Sequence, residues 1–349
     1  YYYLFKNMNP SAPRIALVIP NYNGKHHLDP CIESLSKLNY PAEKIRIIIV
    51  DNASADDSLA QMRAALPGAD IIASTANAGF AGGCNIGIRR ALDLQCEYVF
   101  LLNNDAEVES QTISRLIAAS KARSDNAVLG SALVFADTGK YQFFGSKRGA
   151  VLDQSEYFSA AADAHLLEQD AIPTDFVIGA ALLLPARVLE KAGLFDERFF
   201  LNYEETDLCH RARNLGISSF VIPSSVVRHH AHATLGPYRA PMQLYFLTRN
   251  ALLFTQKHGS AKDRREALKS RLAAFYWNVR RSWEAGVFLD PPTRGMLRGL
   301  WDYFRGRFGD CPPAIRRLDA DFRGLPYLPS SAPQEHGEVI PQASSSAGH

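Results

Sequence analysis

The sequence lacks the features that mark a disulfide-stapled, zinc-knuckle or membrane-spanning protein. Its 349 residues include only 5 cysteines, and none of them are spaced as Cys-x-x-Cys. The longest apolar run, 176–184, ends at Pro185 and is far shorter than the ~20 residues that cross a bilayer. The opening residues Tyr-Tyr-Tyr-Leu-Phe-Lys-Asn have no basic segment followed by a long apolar core, unlike a secretory signal. We therefore expect a folded protein of the reducing cytoplasm.

An excess of charge of one sign is also missing. Lys and Arg number 38 against 36 Asp and Glu, and the formal net charge of +2 argues against a nucleic-acid partner. After the first apolar run only Gly24 is found where the dinucleotide motif Gly-x-Gly-x-x-Gly would follow. Gly24-Lys25 is followed by His26 rather than the Ser or Thr of a phosphate loop. The sequence thus argues against a Rossmann dehydrogenase and a P-loop ATPase.

Apolar runs alternate with amphipathic runs through the first half of the chain, as a parallel sheet with crossover helices requires. The predicted strands are 14–19, 45–50, 69–73 and 98–102, and the predicted helices are about 25–38, 56–66, 80–93 and 110–122. With 47% hydrophobic residues and a length typical of about two domains, the sequence predicts an α/β protein with a sizeable core.

A polar turn follows each of the four predicted strands. The turns are Pro20-Asn21-Tyr22-Asn23-Gly24, Asp51-Asn52-Ala53-Ser54, Asn77-Ala78-Gly79-Phe80 and Asn103-Asn104-Asp105. Asn, Asp and Gly are ordinary turn residues, so structure alone explains any one of these turns equally well. Ligands of open parallel sheets bind beyond the carboxyl ends of the strands, however, and four polar turns at one edge predict a binding site there.

Five blocks of the sequence resemble, in order, blocks of the family 2 glycosyltransferases. They are ALVIPNYNG (16–24), IIVDNASADDS (48–58), NAGFAGGCNIG (77–87), LLNNDA (101–106) and YEETDLCHRAR (203–213). The third block is most similar to the rhamnosyltransferase-like branch of bacterial surface-polysaccharide enzymes. The resemblance implies the glycosyltransferase A fold, a Rossmann-like, mostly parallel sheet flanked by helices. It also implies a nucleotide-sugar donor, of which UDP- and dTDP-sugars are the leading options.

The resemblance assigns the donor nucleotide to the first three turns. Asp51 matches the carboxylate that accepts a hydrogen bond from the pyrimidine ring, and an Asx turn or helix cap is the alternative. The residues implied for the wall of the base pocket are Pro20, Asn21 and Tyr22. Those implied for a loop that lets the backbone approach the nucleotide are Asn77, Gly79 and Asn85. Helix packing explains Gly82 and Gly83 equally well.

Asn103-Asn104-Asp105 stands where the family carries Asp-x-Asp, the pair that handles ribose and a divalent metal. Asp105 keeps an anionic oxygen for Mn²⁺ or Mg²⁺, whereas Asn103 can bond a ribose hydroxyl but adds no charge. Related enzymes place a histidine ligand farther along the chain, and the candidates that follow the strand predicted at 225–228 are His229, His230 and His232. Motif spacing favours His229, His230 is the second choice, and a solvated loop is the alternative without a metal.

Displacement of a diphosphate from a sugar carbon needs one carboxylate as general base on the face opposite the leaving group. The second acid of the block at 203–213 matches that base in the family, so the resemblance implies Glu205, with Glu204 and Asp207 as further candidates. Asp207 and Arg211 are four residues apart and predict an ion pair on one helix face. The residues implied for the acceptor side are Gly179, Ala180 and Asp196, the last of which is equally explained as a turn residue.

The pattern changes after these blocks: strands cease, helical periodicity dominates to about 309, and a tail rich in Pro, Ser and Gly follows. The predicted units are an extension 1–13, a catalytic domain 14–236, a helical region 237–325 and a flexible tail 326–349. Residues 261–310 carry 11 Lys or Arg against 6 Asp or Glu, and all 3 tryptophans. This composition is typical of helices that lie on anionic lipid, and a helical lid or a homo-oligomer surface is the alternative.

Together these expectations describe an inverting, metal-dependent transferase that moves a sugar to a glycan or lipid-linked acceptor in cell-envelope polysaccharide synthesis. It would work in the cytoplasm, on the inner face of the membrane if the basic helices bind lipid. Two alternatives stay open. A sugar nucleotidyltransferase would need a Gly-rich basic loop after the first strand, which is missing. A non-catalytic glycan-binding subunit is conceivable because the metal motif has lost its first acid.

Overall fold

The computed structural model describes residues 12–149, 152–230 and 240–324. The predicted tail and nearly all of the predicted extension fall outside these ranges, as does the predicted domain boundary at 236. The strands are β1 (Ile15–Asn21), β2 (Ile45–Asp51), β3 (Asp70–Ala73), β4 (Tyr98–Leu102), β5 (Ala106–Val108), β6 (Ala127–Phe135), β7 (Tyr141–Phe143), β8 (Ser146–Arg148), β9 (Ser155–Tyr157), β10 (Ile172–Thr174), β11 (Ala181–Pro185), β12 (Ser218–His229) and β13 (Gly309–Asp310). The α-helices are α1 (Leu28–Ser36), α2 (Ser58–Ala65), α3 (Gly79–Asp93), α4 (Thr112–Lys121), α5 (Ala186–Ala192), α6 (Glu204–Asn214), α7 (Pro241–His258), α8 (Ala261–Glu284), α9 (Pro291–Phe304) and α10 (Pro313–Arg323).

Four parallel strands in the order β3-β2-β1-β4 form one half of the main sheet. Every residue of β1 is buried, which accounts for its unbroken apolar run. The chain adds β2 and β3 on one side of β1 and then crosses to β4 on the other side. Open sheets bind ligands at such a reversal, beyond the carboxyl ends of the two strands. The fold therefore places the candidate site after β1 and β4.

The other half of the sheet is mixed. β11 lies antiparallel between β4 and β6, and β12 and β10 follow beyond β6. The apolar run at 176–184 is thereby explained, because its second half is the fully buried strand β11. The ladder between β12 and β6 shifts register between Ile222 and Val226, around Pro223, where proline cannot donate a ladder hydrogen bond.

The predicted elements of the first half are all present, with ends displaced by no more than three residues. The helical region differs from expectation in one respect: it continues past 309 through the short strand β13 into α10. Helix α7 is its buried centre. A Cβ on Gly299 of α9 would lie 2.1 Å from the carbonyl oxygen of Tyr245 on α7, so the two helices cross in close backbone contact.

Arg249 in α7 is completely buried by packing within the helical region. Its guanidinium bonds Oδ1 of Asn250 and the carbonyl of Gly309, and it lies 5.6 Å from the ring centroid of Phe308. Apolar residues of α7 also share a cluster with Phe199. The helical region is thus joined to the catalytic part by a common core.

All 5 cysteines are free and buried. Burial raises the pKa of Cys31 to about 12 and that of Cys209 to about 11, so their thiols stay protonated at neutral pH. Among the described residues, no helix combines the length and the apolar composition needed to cross a membrane.

Candidate active site

The side chains at the ends of β1, β2 and β4 form one hydrogen-bonded network. Nδ2 of Asn21 donates to Oδ1 of Asp51 at 2.9 Å, and Nδ2 of Asn104 donates to Oδ1 of Asn21 at 2.7 Å. Asp51 also accepts from the main-chain N–H and the hydroxyl of Ser54, at 3.1 and 2.6 Å. The structure thus brings together three of the residues expected to bind the nucleotide-sugar donor. It also shows the local turn that is the alternative explanation for Asp51. The residues of the expected pocket wall are buried Pro20, buried Asn21 and half-buried Tyr22.

The loop after β3 is fixed by a glycine. Oδ1 of Asn77 accepts from the N–H of Gly79 at 2.8 Å, and Nδ2 of Asn52 donates to the carbonyl of Gly79 at 3.0 Å. Gly79 has a φ of +71°, and a Cβ on it would lie 2.3 Å from the carbonyl oxygen of Phe200. Only glycine meets both conditions. A Cβ on Gly83 would lie 2.4 Å from Nδ2 of Asn52, so packing accounts for that glycine.

Asn85 lies inside α3, beyond the loop to which the resemblance assigns it. Its Nδ2 donates to the carbonyl of Phe195 at 2.9 Å and to Oε1 of Glu197 at 2.7 Å. Its Oδ1 accepts from the N–H of Phe195 at 3.0 Å. The buried amide is therefore engaged in fixing 195–197 to α3. A contact of Asn85 with the nucleotide stays a prediction.

His229, the last residue of β12, faces the residues that follow β4. Its Nε2 lies 3.2 Å from Oδ1 of Asp105 and 3.2 Å from Nδ2 of Asn103. Nδ1 of the same ring lies 2.9 Å from Oε1 of Gln142 on β7. Because an amide oxygen only accepts, Nδ1 carries a proton, and Nε2 is the ring nitrogen that faces Asn103 and Asp105.

This cluster of Asn103, Asp105 and His229 fits a divalent cation. Oδ1 of Asn103 and Oδ1 of Asp105 are buried without a hydrogen-bond partner among the described residues. Carboxylate and amide oxygens and a neutral imidazole are ligands that Mn²⁺ accepts. Within the same described ranges there is no group of three His, Cys, Asp or Glu side chains that could hold a metal. We therefore expect a cation to need oxygens of a bound nucleotide as further ligands.

His230 is engaged by a different acid. Its Nε2 lies 2.7 Å from Oε1 of Glu107, and its main-chain N–H donates to the carbonyl of Asp105 at 2.9 Å. The geometry consequently favours His229 over His230 as a ligand. His232 lies outside the described residues.

The first two residues of α6 carry adjacent carboxyl groups. Glu204 and Glu205 are 2% and 9% exposed, and Oε2 of each is buried without a hydrogen-bond partner in the described part of the chain. Burial, and next the charge of Glu205, raises the pKa of Glu204 well above its usual range. Burial also raises the pKa of Glu205, to about 7, although main-chain N–H groups including that of Gly179 oppose the rise. A carboxylate with this pKa is suited to accept a proton near neutral pH.

Asp207 is engaged by three basic side chains. Its Oδ2 accepts from Nε of Arg211 at 2.7 Å, which confirms the expected ion pair along the helix. Its Oδ1 lies 2.6 Å from Nζ of Lys257 and 2.7 Å from Nε2 of His258 on α7. Burial alone would raise the pKa of Asp207, but the hydrogen bond from His258 and the charges of Arg211 and Lys257 lower it. These contacts favour a structural role for Asp207, and its candidate catalytic role stays a prediction.

Asp196 is held in a similar way. Its carboxylate accepts from Nη2 of Arg198 at 2.7 Å and from Nζ of Lys257 at 2.7 Å. Against the opposing effect of burial, these two cations lower the pKa of Asp196. The turn alternative therefore describes Asp196 better than contact with an acceptor.

Gly179 and Ala180 connect the two glutamates of α6 to the cluster of Asn103, Asp105 and His229. The N–H of Gly179 bonds the carboxylate of Glu205, and the carbonyl of Ala180 accepts from the N–H of Asn103 at 3.1 Å. A Cβ on Gly179 would lie 2.8 Å from the ring of Phe80, so this position stays small. One short turn thus brings the candidate base and the candidate metal site to the same end of β4 and β11.

Motif analysis misses Gln142 and Tyr203. Gln142 lies in a segment where no motif was found, and nothing in its neighbouring residues indicates a partner for His229. Tyr203 precedes the acid pair in a block that was recognised, yet only the structure shows its left-handed φ of 61°.

The sheet order, with the reversal at β1 and the antiparallel β11 beside β4, defines the glycosyltransferase A fold, as predicted. A solved structure with this arrangement is the mannosyltransferase PcManGT from Pyrobaculum calidifontis in complex with GDP-Man and Mn²⁺. The TM-score is 0.54 at 14% identity, and the match covers 84% of this chain and 88% of that chain. At this identity the similarity shows the fold alone.

Residues 16–178 match the family model described as Glycosyl transferase family 2. The resemblance seen in the sequence motifs is thereby confirmed. The dTDP-rhamnosyl transferase RfbF of Shigella flexneri is 25% identical over 260 residues, covering 70% of this chain and 80% of that protein. The N-acetylglucosaminyl-diphospho-decaprenol L-rhamnosyltransferase of Mycobacterium tuberculosis is 25% identical over 239 residues, covering 63% and 77%.

Proposed function

We propose that the chain is an inverting, divalent-metal-dependent glycosyltransferase that moves a sugar from a UDP- or dTDP-sugar to a glycan or lipid-linked acceptor of the cell envelope. The observation that carries the proposal is the buried Glu205 carboxyl, with one unpartnered oxygen, beside the turn that bonds Asn103. The relatives support the substrate classes, since their names specify a dTDP-linked donor and a lipid diphosphate acceptor.

The polar network after β1, β2 and β4 would receive the nucleotide. Asn21, Asp51 and Asn104 offer both donors and acceptors to a pyrimidine ring. A polar pocket rejects a base that leaves these groups unpaired far more strongly than an apolar slot of the same shape does. Gly79 lets the main chain of the neighbouring loop approach the donor.

Asp105, His229 and the amide oxygen of Asn103 would hold Mn²⁺ or Mg²⁺ together with the donor diphosphate. When bound, the metal neutralises the charge that develops on the leaving diphosphate. Because Asn103 contributes no charge, we expect cation affinity to depend on the nucleotide. Gln142 would orient His229 by accepting a hydrogen bond from its Nδ1–H.

Glu205 would take the proton from the acceptor hydroxyl as this oxygen attacks the sugar carbon. A single displacement with the base on the face opposite the diphosphate inverts the anomeric configuration. Burial and the charge of Glu205 raise the pKa of the neighbouring Glu204 well above its usual range, which favours the protonated form of Glu204 beside the base.

A donor panel tests this function. The chain is incubated with UDP-, dTDP- and GDP-sugars and Mn²⁺, melting temperature identifies the donors that bind, and product NMR identifies the anomer. A non-catalytic glycan-binding subunit would neither transfer nor hydrolyse any donor. A nucleotidyltransferase would instead form a nucleotide sugar from a nucleoside triphosphate and a sugar 1-phosphate.

We also propose that α8, α9 and the connection between them lie on an anionic membrane surface. The most exposed aromatic side chains there are Tyr276 (60%), Trp277 (59%), Trp283 (71%), Phe288 (72%), Trp301 (52%) and Phe304 (64%). Arginines accompany them: the guanidinium of Arg280 lies 5.4 Å from the ring centroid of Trp277, and that of Arg305 lies 4.5 Å from Trp301. Aromatic rings beside cations suit the headgroup region, where a lipid-linked acceptor would be found.

A further inference from the structure

The backbone that leads into α6 has a conformation that side chains rarely adopt. Phe200, Asn202 and Tyr203 have φ angles of 63°, 64° and 61°, all in the left-handed region. For residues other than glycine this conformation is unfavourable and persists only where surrounding contacts impose it. Tyr203 directly precedes Glu204, so the direction in which the acid pair enters α6 depends on those contacts.

Two of the contacts come from the helical region beyond 240. Nδ2 of Asn250 on α7 donates to the carbonyl of Phe199 at 3.0 Å. The guanidinium of Arg316 on α10 lies over the ring of Phe200, 5.9 Å from its centroid. Both contacts act on the residues before the acid pair. The ring of Tyr203 itself packs against Phe254 of α7, with centroids 5.3 Å apart, and its hydroxyl makes a further contact.

The third contact runs from Tyr203 through Asp153 to α8. The hydroxyl of Tyr203 donates to the main-chain carbonyl of Asp153 at 2.9 Å. Burial raises the pKa of Tyr203 well above its usual value, so the hydroxyl keeps the proton that it donates. Nη2 of Arg271 on α8 donates to Oδ2 of Asp153 at 2.9 Å, and these two side chains are only 8% and 0% exposed. The chain of contacts thus joins α8 to the start of α6.

The ion pair at the centre of this chain is incompletely satisfied. Oδ1 of Asp153 and Nε of Arg271 are buried without a hydrogen-bond partner in the ranges that the structure describes. A buried pair with unmet polar groups adds little stability over apolar residues of the same volume. Its clearer effect is geometric, because it fixes the carbonyl that accepts the Tyr203 hydroxyl.

We infer that Arg271 is a positioning residue for transfer: through Asp153 and Tyr203 it holds the left-handed backbone that orients Glu205. The inference rests on the proposed role of Glu205 as the base. It gives the helical region a part in turnover that is independent of any membrane contact.

The test compares Tyr203→Phe and Arg271→Met with Lys37→Met in the full chain. Tyr203→Phe removes one oxygen from a buried ring, and Lys37 is an exposed lysine that follows α1 and pairs with Glu33. With the donor that the panel selects, kcat of the first two variants should fall about tenfold while donor KM changes less than twofold. The double variant should lose no more than either single variant, because both changes break one chain of contacts. Arg271→Lys keeps a donor and a charge and should recover part of the rate.

Hydrogen–deuterium exchange gives a readout that needs no activity. Amides of 198–208 should exchange faster in Tyr203→Phe and Arg271→Met, and at the wild-type rate in Lys37→Met. Unchanged kcat and exchange in Tyr203→Phe overturn the inference, and so does a lowered melting temperature with unchanged kcat. A wild-type chain that transfers no sugar from any donor overturns the proposed function instead, and the exchange comparison still decides whether these contacts order the segment.

Discussion

Nδ1 of His229 lies 2.9 Å from Oε1 of Gln142, and this contact decides which nitrogen of the ring faces Asp105. A histidine that ligates a metal through one nitrogen commonly donates the proton on the other to such an acceptor, which fixes the ring and its tautomer. Gln142 therefore gives the structural reason to prefer His229 over His230 as the ligand.

The first prediction concerns this contact. Gln142→Leu should weaken Mn²⁺ binding about tenfold in the presence of the nucleoside diphosphate of the selected donor, since the ring loses its orienting acceptor. Isothermal titration calorimetry measures the affinity without turnover. Gln111→Leu, at an exposed glutamine, is the matched control and should bind normally. Equal affinities for the wild type and Gln142→Leu would remove Gln142 from the site.

The second prediction concerns the cation itself. Excess EDTA should abolish transfer, and Asp105→Ala should do the same while the fold survives, because the anionic oxygen of the cluster is lost. Transfer assays and circular dichroism separate the two effects. Asp137→Ala, at an exposed acid, is the control. Full activity in EDTA would rule out both Asp105 and His229 as metal ligands.

The third prediction concerns proton transfer. Glu205→Gln keeps the size of the side chain but removes the base, so kcat should fall by ~10² or more with donor affinity little changed. Single-turnover assays and calorimetry measure the two quantities. A rate equal to that of the wild type would transfer the role of base to Glu204, since Asp207 is held by three basic side chains.

The fourth prediction follows from the raised pKa of Glu205. The pKa of Glu205 is about 7 in the folded chain, against an ordinary value of 4.5. The contribution of its protonated carboxyl group to the stability of the fold is therefore complete below about pH 4.5 and is lost as pH rises through about 7. Glu205→Gln should therefore gain unfolding free energy over the wild type between pH 5 and pH 8, by about 1 kcal/mol or more. Urea unfolding at both pH values measures the gain.

The control for this experiment is Glu190→Gln, at an exposed glutamate of α5, which should show the same difference from the wild type at pH 5 and pH 8. A Glu205→Gln curve parallel to that of the wild type at both pH values would mean that the Glu205 carboxyl titrates normally in the folded chain.

The fifth prediction concerns the exposed aromatic surface of α8 and α9. The chain should sediment with vesicles containing anionic lipid at low salt and be released at high salt. Trp283→Ser with Phe288→Ser should weaken this binding about tenfold, because two of the most exposed rings are lost. Leu215→Ser, at an exposed leucine of the catalytic part, should not.

Equal binding to neutral vesicles, or no effect of the double change, would leave a lid or a homo-oligomer surface as the explanation of the exposed rings. Point variants are preferable to truncation at 260, because Arg271 contacts Asp153 and removal of α8 would expose that buried carboxylate.

The sequence predicts the parallel half of the fold because strand and helix periodicities are local properties. It predicts the polar turns for the same reason, and Asn21, Asp51 and Asn104 do meet. The antiparallel direction of β11 is not predictable in this way, since an apolar run carries no sign of direction.

The contacts that motif analysis could not show have a common physical cause. Asp207 is bonded by Lys257 and His258, and Asn85 by Phe195, all from distant parts of the chain. Such partners follow no spacing rule, so a motif can identify a polar residue as important without showing what it contacts. Gln142 and Arg271 were missed for the same reason.

The burial of all 5 cysteines has a practical consequence for spectroscopy. Inaccessible thiols react slowly with maleimide dyes under native conditions. A cysteine introduced at an exposed position of α8 or α9 would then be the one fast-reacting thiol of the chain, with no need to delete native ones. A fluorophore attached there would report polarity at the aromatic surface, and a donor–acceptor pair spanning α8 and α6 would report whether they move together during turnover.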